Sequence, residues 1–354
     1  MFLRGLRVLD LSQYIPGPYA ALLLADLGAY VLKIEPPGGD PMRTLGPGDA
    51  LWRAMNGGKT ILELDLKSAD GKATLARLIA HADALIESYR PGTLERLGFG
   101  RADLDRLNPK LVHVALSGYG QTGPWRLRSG HDINYMATAG GLWASGTRDS
   151  PQIAHPPTAD YAAGQFAAFG CVAALLGRPG TGKGAYIDAS LADTVSAWQG
   201  PLLAQHAVPG FAQAREAALL NGGAAYYRIY ACTDGHVTLG AIEPKFWANF
   251  CHAVSKPDWI ARQGEPFPQM ALIAELAALF ATRTRAQWEA ILGPVDCCFA
   301  VVLQPEEMAK HPQLAARGLL GRFPAWIDGA PPAPRPEPAP AAAEAVLAAW
   351  EKPR

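Results

Sequence analysis

The chain has 354 residues, of which 49% are hydrophobic and 18% charged, so it can form a sizeable core and disorder is not expected. The formal net charge is +0 and the pI is near 7.1, which argues against nucleic acid as the main partner. The five cysteines show neither paired nor metal-ligand spacing, so we expect no disulfide framework and no metal site.

The N-terminal residues run directly into a strand-like pattern and lack the charged, apolar and cleavage regions of a signal peptide. No apolar run reaches the roughly 18 residues that a membrane-spanning helix needs. We therefore expect a cytoplasmic protein without a membrane span.

Strands alternate with helices over the first 120 residues or so. The predicted strands are Arg7–Leu11, Tyr30–Glu35, Thr60–Leu66, Ala84–Ser88 and Leu111–Ser117. The predicted helices between them are Tyr19–Gly28, Gly71–His81 and Thr93–Leu97. This order predicts a mainly parallel sheet covered on both faces. The first strand is not followed by the glycine-rich fingerprint of a dinucleotide site.

A helix over Tyr161–Leu176, a strand over Ala185–Ser190 and a helix over Leu191–Trp198 complete a predicted large domain of residues 1–199. Residues 200–223 are interpreted as a connector. Residues 224–320 form a predicted smaller α+β domain with a hairpin of Ala225–Tyr230 and His236–Ala241 around Asp234-Gly235, followed by helices at 245–255, 268–282 and 285–292. The chain rejoins the large domain at about 321–354, through a Pro/Ala-rich extended linker (Gly329–Ala342) and a closing helix (Ala343–Trp350).

The segment Gly177–Lys183 imitates a phosphate-binding loop, but it follows a helix, precedes a strand and has Gly184 after the lysine. A working loop follows a strand and has Ser or Thr at that position. We interpret the segment as a flexible turn.

Arg90 follows a strand and precedes a helix, where ligands bind in open α/β sheets, and it can bind phosphate bidentately. Arg43 and Lys59 are similar candidates.

The stretch from Gly130 to Asp160 places His131 and Asp160 at the starts of two predicted helices, among small residues. Helix starts stabilise negative charge, so a titratable group there can meet a ligand on which charge develops. On the residues alone, Asp132 and Asp160 are more simply helix N-caps and His131 a turn residue. Glu243 alone is most simply a charge at a helix start.

Several motifs together resemble those of the family III CoA-transferases (the CaiB/BaiF type). They are Gly17-Pro18-Tyr19-Ala20, Leu24–Ala29, Gly38–Arg43, Leu64–Ser68, Tyr89-Arg90-Pro91-Gly92 and Ser117–Pro124. The resemblance runs from Gly5 to about Leu320. Within the family the chain is most similar to the α-methylacyl-CoA racemases, through His131 in Gly130–Tyr135, Asp160, and Glu243 in Gly240–Pro244.

This resemblance implies a Rossmann-like large domain and a smaller domain in an interlocked, ring-like homodimer, with each active site between the large domain of one subunit and the small domain of the other. It implies His131 and Asp160 as the two acid/base groups of a racemase, with Glu243 orienting His131. We expect a backbone N–H near Asp132 or Asp160 to stabilise an enolate. The expected CoA-binding residues are Arg43, Lys59, Arg90, Pro91, Gly92 and Tyr135. CoA is part of the substrate, and no other cofactor is expected.

Two alternatives stay open. The family's transferases use the Asp matching Asp160 as a nucleophile that moves CoA between carboxylic acids. A non-catalytic CoA-thioester binding protein is the second, because Asn56-Gly57-Gly58-Lys59-Thr60 replaces the family's usual Asn-Arg-Gly-Lys-Arg and so loses two cations. The Pro/Ala-rich segment after about residue 329 is the other departure from the family pattern.

Overall fold

A computed structural model describes residues 1–209 and 214–352. The chain divides into two compact units. The larger consists of Met1–Ala139, Ala154–Gln199 and the chain from Arg317 onwards, and the smaller of Gly140–Ile153 and Gly200–Ala316. The predicted connector, 200–223, and the segment 140–153 thus both belong to the smaller unit.

Across the described residues the strands are β1 (Arg7–Asp10), β2 (Tyr30–Glu35), β3 (Thr60–Glu63), β4 (Ala84–Glu87), β5 (Val112–Ser117), β6 (Ala185–Ser190), β7 (Tyr227–Cys232), β8 (Gly235–Gly240), β9 (Phe299–Val301) and β10 (Ala339–Pro340). The α-helices are α1 (Pro16–Asp26), α2 (Ala50–Asn56), α3 (Ala69–Ala80), α4 (Thr93–Arg96), α5 (Arg101–Leu107), α6 (Asp132–Thr138), α7 (Thr158–Thr181), α8 (Leu191–Trp198), α9 (Gly200–His206), α10 (Pro244–Ala253), α11 (Met270–Phe280), α12 (Arg285–Leu292), α13 (Pro305–Met308), α14 (Pro312–Arg317) and α15 (Ala343–Trp350). Short 3-10 helices cover Pro41–Thr44, Leu219–Asn221 and Pro257–Gly264.

The larger unit contains a seven-stranded parallel sheet in the order β10-β3-β2-β1-β4-β5-β6. Its central strands are apolar and buried on both faces, as Val8, Leu9, Leu85 and Ile86 show. The predicted α/β class is therefore confirmed. The strand order reverses direction between β1 and β4, and in such sheets ligands bind beside this switch point, at the carboxyl ends of the strands.

The long helix α7 packs against α1, β5 and β6. Small residues four apart, Ala159, Ala163, Ala167 and Cys171, form its buried face. Length and hydropathy alone would allow α7 to cross a membrane, but in this structure the helix packs against other elements of the larger unit. The helix also continues through most of the segment that we interpreted as a turn, and it ends where Gly182 adopts a left-handed φ of 67°.

The Pro/Ala-rich segment is extended, and its end adds β10 to the sheet beside β3. Ala339 N–H donates to Lys59 O at 3.1 Å, and Ala341 N–H donates to Ile61 O at 2.9 Å. The Arg335 guanidinium is bound to both carboxylate oxygens of Asp26, at 2.8 and 2.6 Å. The segment is therefore part of the larger unit's structure and covers what would otherwise be an edge strand.

The smaller unit is built on the antiparallel sheet β7-β8-β9. Its core contains stacked or edge-on aromatic rings, with Phe280 at 5.9 Å from Phe250 and 5.1 Å from Trp288 between ring centroids. The hairpin was predicted from Asp234-Gly235. Strand β9 was missed, because its three residues are too few to show a period.

Candidate active site

The N-termini of α6 and α7 meet through the carboxylate of Asp132. Its Oδ1 accepts hydrogen bonds from the N–H groups of Ala159 and Asp160, at 2.6 and 3.2 Å. Asp132 thus caps α7, although it lies in the first turn of α6. We predicted that Asp132 caps the helix that it starts, α6, whereas its carboxylate caps α7. We also expected the Asp160 N–H to be available to an enolate, and this is corrected, because Asp132 occupies it.

Asp160 lies in the first turn of α7 and is mostly buried. Burial and the neighbouring negative charge of Asp132 together raise the pKa of its carboxyl group to about 7. Both causes disfavour the ionised form, and the N–H groups of Ala159 and Asp160 at the helix start are bound to Asp132 and not to the Asp160 carboxylate. Asp160 can therefore gain or lose a proton near neutral pH.

His131 precedes α6 as its N-cap residue, and its side chain is exposed. Its backbone N–H donates to Asn134 Oδ1 at 3.0 Å, and its carbonyl accepts from Asn134 N–H at 2.8 Å. These bonds fix the backbone of His131 while they leave the imidazole to solvent. Asp132, which follows His131 in the chain, bonds to the backbone N–H of Asp160, so the helix starts that carry the two predicted acid/base residues adjoin.

Tyr135 lies buried in α6 behind these residues. Its hydroxyl donates to Gly130 O, and its ring meets Tyr119 edge-on at 5.1 Å. A Cβ at Gly118 would lie 2.5 Å from this ring, so the glycine makes room for it. Burial, with smaller effects of Tyr119 and Asp160, raises the pKa of Tyr135 to about 12. Tyr135 is therefore a neutral hydroxyl beside the site.

The loop after β4 turns sharply at the carboxyl edge of the sheet. Glu87 Oε2 accepts from Tyr89 N–H at 2.6 Å, and Gly92 has a left-handed φ of 80° that favours glycine. Pro91 is buried between them, whereas the Arg90 side chain is exposed. Arg90 is close enough to Tyr135 to oppose the rise of the Tyr135 pKa. The predicted CoA-binding residues Arg90, Pro91 and Gly92 thus lie on the same side of the unit as Asp160.

Arg43 follows β2, at the same edge of the sheet. Its Nε donates to Glu35 Oε2 at 2.8 Å, and its guanidinium lies 3.4 Å from the centre of the Trp52 ring. Trp52 belongs to a small cluster that also contacts Tyr161, the neighbour of Asp160. Arg43 therefore remains a candidate for binding a phosphate.

Lys59 is a correction to the predicted CoA-binding set. Its side chain is fully buried, and Nζ donates to Asp10 Oδ2, Pro18 O and Asn56 Oδ1 at 2.8, 2.8 and 3.0 Å. The three donors of the ammonium group are thus used inside the protein. Burial lowers the pKa of Lys59 to about 8, and the negative charge of Asp10 partly opposes this. Lys59 is a structural residue that cannot reach a ligand in this arrangement.

Glu243 lies in the smaller unit, as the exposed N-cap residue of α10, and its side chain makes no capping hydrogen bond. Its negative charge contributes, after burial, to raising the pKa of the Cys298 thiol. The residue is thus at a helix start, as predicted. Its role toward His131 stays a prediction.

Sequence reasoning missed Glu35 and Trp52, which contact the predicted Arg43. The only available signal was a Glu at the end of a strand followed by a loop that carries Arg43, and such an acidic residue is more often solvated. Tyr161 was also missed. It packs edge-on against Tyr19 at 4.9 Å, next to Asp160.

The sheet order and the basic residues at its carboxyl edge are typical of a Rossmann-like protein that binds a phosphorylated ligand, here with a carboxyl group that titrates near neutral pH beside that edge. The profile of CoA-transferase family III matches residues 3–344. The chain belongs to this family.

Relatives in the family have two kinds of activity in their names. The chain is 35% identical to human alpha-methylacyl-CoA racemase over 326 residues, covering 90% of this chain and 82% of that protein. It is 31% identical to acetyl-CoA:oxalate CoA-transferase of Acetobacter aceti over 333 residues, covering 89% and 84%. A solved CAIB/BAIF family protein from Brucella suis superposes with a TM-score of 0.85 at 26% identity, covering 98% and 99%.

Proposed function

We propose that the protein racemises 2-methylacyl-CoA thioesters by removing the α-proton from one face of the α-carbon and returning a proton to the other. The observation that carries the proposal is Asp160, whose pKa burial and Asp132 raise to about 7. An acid/base catalyst works best when its pKa lies near the working pH. A racemase needs this property in particular, because each group must be a base in one direction and an acid in the other.

In the proposed reaction, neutral His131 removes the α-proton of one enantiomer while protonated Asp160 supplies a proton to the opposite face. For the other enantiomer, ionised Asp160 is the base and protonated His131 the acid. Each group needs to lie within about 3 Å of the α-carbon or its proton. The proton removed and the proton returned balance, so the thioester is otherwise unchanged.

The negative charge that develops on the thioester oxygen needs donors placed in advance. Because the N–H groups of Ala159 and Asp160 are bound to Asp132, we assign this role to the first turn of α6. The N–H groups of Asp132 and Ile133 have no partner within their own helix, as is general for a helix start. We keep Glu243 as the residue that orients His131, and the homodimer as the assembly in which it does so.

The alternative function is CoA transfer between carboxylic acids, in keeping with the name of the Acetobacter aceti relative. The Asp160 carboxylate would attack an acyl-CoA carbonyl and release the CoA thiolate, which gives a mixed anhydride. The thiolate would then attack the Asp160 carbonyl and release the acyl group as a carboxylate, which leaves CoA on Asp160 as a thioester. An acceptor carboxylate would attack this thioester and release the thiolate, and the thiolate would attack the acceptor carbonyl of the new anhydride, which yields the acceptor's CoA thioester and free Asp160. Attack requires the ionised form, which at a pKa of about 7 is roughly half of Asp160 at pH 7. The same form is the base in the racemase, so Asp160 serves both functions, and His131 with Glu243 is what leads us to prefer racemisation.

One experiment separates these functions. The protein is incubated in deuterium oxide with one enantiomer of a 2-methylacyl-CoA, and α-deuterium and optical rotation are followed across chain lengths. We expect exchange and loss of optical activity together. The proposal fails if neither occurs, and a hydroxylamine-sensitive adduct on Asp160 would establish the transferase instead. Tight CoA binding with neither reaction would indicate a non-catalytic binding protein.

A further inference from the structure

The short helical turn that carries Arg43 is anchored at its start by a buried ion pair. Asp40 Oδ1 accepts from Met42 N–H at 2.9 Å, and Asp40 Oδ2 lies 3.0 Å from Lys33 Nζ. The side chains of Asp40 and Lys33 are 1% and 0% exposed. A charge pair sequestered in this way fixes the backbone of the turn, so the position of the Arg43 Cα is set before any ligand arrives.

Glu35 then fixes the Arg43 side chain together with the Trp52 indole. One carboxylate oxygen accepts from Arg43 Nε and the other from Trp52 Nε1, both at 2.8 Å. Glu35 is only 3% exposed. A buried carboxylate needs such partners, and these two bonds satisfy both of its oxygens. Glu35 therefore fixes the positions of the guanidinium and the indole relative to each other.

The Trp52 ring supports one face of the guanidinium, which lies 3.4 Å above the ring centre. Gly39 leaves the space that the Arg43 side chain occupies. A Cβ at Gly39 would lie 2.7 Å from Arg43 Cδ and 3.3 Å from Glu35 Oε2, and φ at Gly39 is +86°. Any other residue at position 39 would displace the guanidinium as well as strain the backbone.

The contacts use the Nε edge and one face of the guanidinium. In the described part of the chain, neither terminal nitrogen of Arg43 has a hydrogen-bond acceptor, and the side chain is 32% exposed. The two terminal nitrogens form the edge that binds a phosphate through two parallel hydrogen bonds. Since Glu35 offsets part of the positive charge, the advantage of this arrangement lies in its fixed geometry more than in its charge.

We propose that Glu35 and Trp52 are positioning residues that hold Arg43 toward a phosphate group of the CoA nucleotide. This rests on the proposed function, in which the substrate is a CoA thioester. It adds two residues that do not touch the reacting atoms. They determine how well the nucleotide end of the substrate is bound.

Binding of the nucleotide end alone tests the inference without turnover. Isothermal titration calorimetry of the full chain uses adenosine 3′,5′-bisphosphate as the probe, with the variants Glu35→Gln, Trp52→Phe and Arg43→Lys. Glu35→Gln places a side-chain amide N–H against one of the two N–H groups that the carboxylate accepts from. Trp52→Phe keeps an aromatic face but loses the indole N–H. Arg43→Lys keeps the positive charge but loses the planar guanidinium that binds phosphate through two hydrogen bonds. We expect each variant to bind about tenfold or more weakly, as for the loss of a charge-assisted hydrogen bond.

Matched controls are Trp198→Phe and Arg106→Lys, at exposed positions of the larger unit, and both should bind as the wild type does. The inference is overturned if Glu35→Gln and Trp52→Phe also bind the bisphosphate with wild-type affinity.

A kinetic comparison separates positioning from general damage to the fold. The ratio of kcat/KM for an acyl-CoA to kcat/KM for the matching acyl-pantetheine, which lacks the nucleotide, should fall about tenfold in Glu35→Gln and Trp52→Phe. A merely structural role would lower both values in proportion and leave the ratio unchanged, which would overturn the inference. If the wild type turns over neither thioester, the proposed reaction fails, and the calorimetry still decides the roles of Glu35 and Trp52.

Discussion

The carboxylate of Asp132 lies in one helix and accepts a hydrogen bond from the backbone N–H of Asp160 in another, at 3.2 Å. This contact satisfies the start of α7 and at the same time places a negative charge next to the Asp160 carboxyl group. Helix capping and the raised pKa thus have one origin, and substitutions of Asp132 can separate them.

Replacing Asp132 by Asn keeps an oxygen acceptor for α7 but removes the charge. We expect the pKa of Asp160 to fall, because one cause of its rise is lost. For the enantiomer from which Asp160 removes the α-proton, the acidic limb of the pH–rate profile for α-deuterium exchange should therefore move to lower pH. Replacing Asp132 by Ala also removes the cap, and it should cost about 1–2 kcal/mol in urea unfolding. An unchanged profile in the Asn variant would show that burial alone sets the pKa.

The raised pKa of Asp160 predicts that Asp160→Asn stabilises the fold at alkaline pH. Below the ordinary pKa of 3.8 both states are protonated and nothing is gained, whereas above about 7 the native carboxylate is ionised against its surroundings. This rise in the pKa of Asp160 corresponds to a loss of at most about 4 kcal/mol in the free energy of unfolding at alkaline pH. Because Asp160 is partly exposed, the loss is smaller, and we expect Asp160→Asn to raise the free energy of unfolding by about 1–3 kcal/mol at pH 8 and by almost nothing at pH 4. Urea unfolding at the two pH values measures this, and an equal gain at both would contradict the assignment.

Replacing His131 by Ala should lower the rate of α-deuterium exchange about a hundred- to ten-thousandfold, the usual range for losing a general acid/base. Any CoA transfer should only weaken, since His131 is not its nucleophile. The exposed side chain predicts a stability change within about 0.5 kcal/mol. His252→Ala, at an exposed position of the smaller unit, is the control and should retain exchange. Wild-type exchange in the His131 variant would remove this residue from the mechanism.

Replacing Lys59 by Met should affect stability and not the affinity for CoA. The change leaves Asp10 buried without its nearest cation, and breaking a buried ion pair costs about 3–5 kcal/mol. Lys67→Met, at an exposed position, should change stability by no more than about 0.5 kcal/mol. Urea unfolding and calorimetry with CoA distinguish the two effects. A well-folded Lys59 variant with weakened CoA binding would restore Lys59 to the site.

Gly57 and Arg335 should be energetically coupled. A Cβ at Gly57 would lie 3.0 Å from Arg335 Cβ, so the arginine that the family usually has at this position would collide with the C-terminal segment. We expect Gly57→Arg to cost about 1–3 kcal/mol. Gly177→Arg, at a position with open space, is the charge-matched control. In a double-mutant cycle with Arg335→Ala the costs should be non-additive by more than about 0.5 kcal/mol, and additivity would mean that the two residues do not compete for space.

The parallel sheet was predictable because buried strands and intervening helices have distinct periods, and β2, β6 and α15 have the predicted bounds. The cap bond from Asp132 to α7 was not, because it joins residues almost thirty positions apart and no local pattern reports it. Lys59 was misassigned for a related reason. A lysine in a glycine-rich loop suggests a ligand contact, and only the packed structure shows that Asp10, Pro18 and Asn56 surround its ammonium group.

The two departures from the family pattern seemed independent in the sequence, but the structure joins them. Because Gly57 has no side chain, there is space next to it for Arg335, and Gly58 N–H donates to Pro336 O at 2.7 Å. The glycine at position 57 and the Pro/Ala-rich C-terminal segment are thus in direct contact with each other. Only a structure or paired substitutions can show this relationship, since neither segment carries a periodic signal.

The pairing of β10 with β3 has a consequence for the order of events during synthesis. Strand β3 leaves the ribosome early, whereas Ala339, its partner opposite Thr60, follows only after the whole smaller unit has been made. Until then β3 presents unpaired backbone groups at the edge of an incomplete sheet, a feature that invites pairing with other chains. The smaller unit can thus complete its fold before the larger one, and a nascent chain exposes this sheet edge until its last strand arrives.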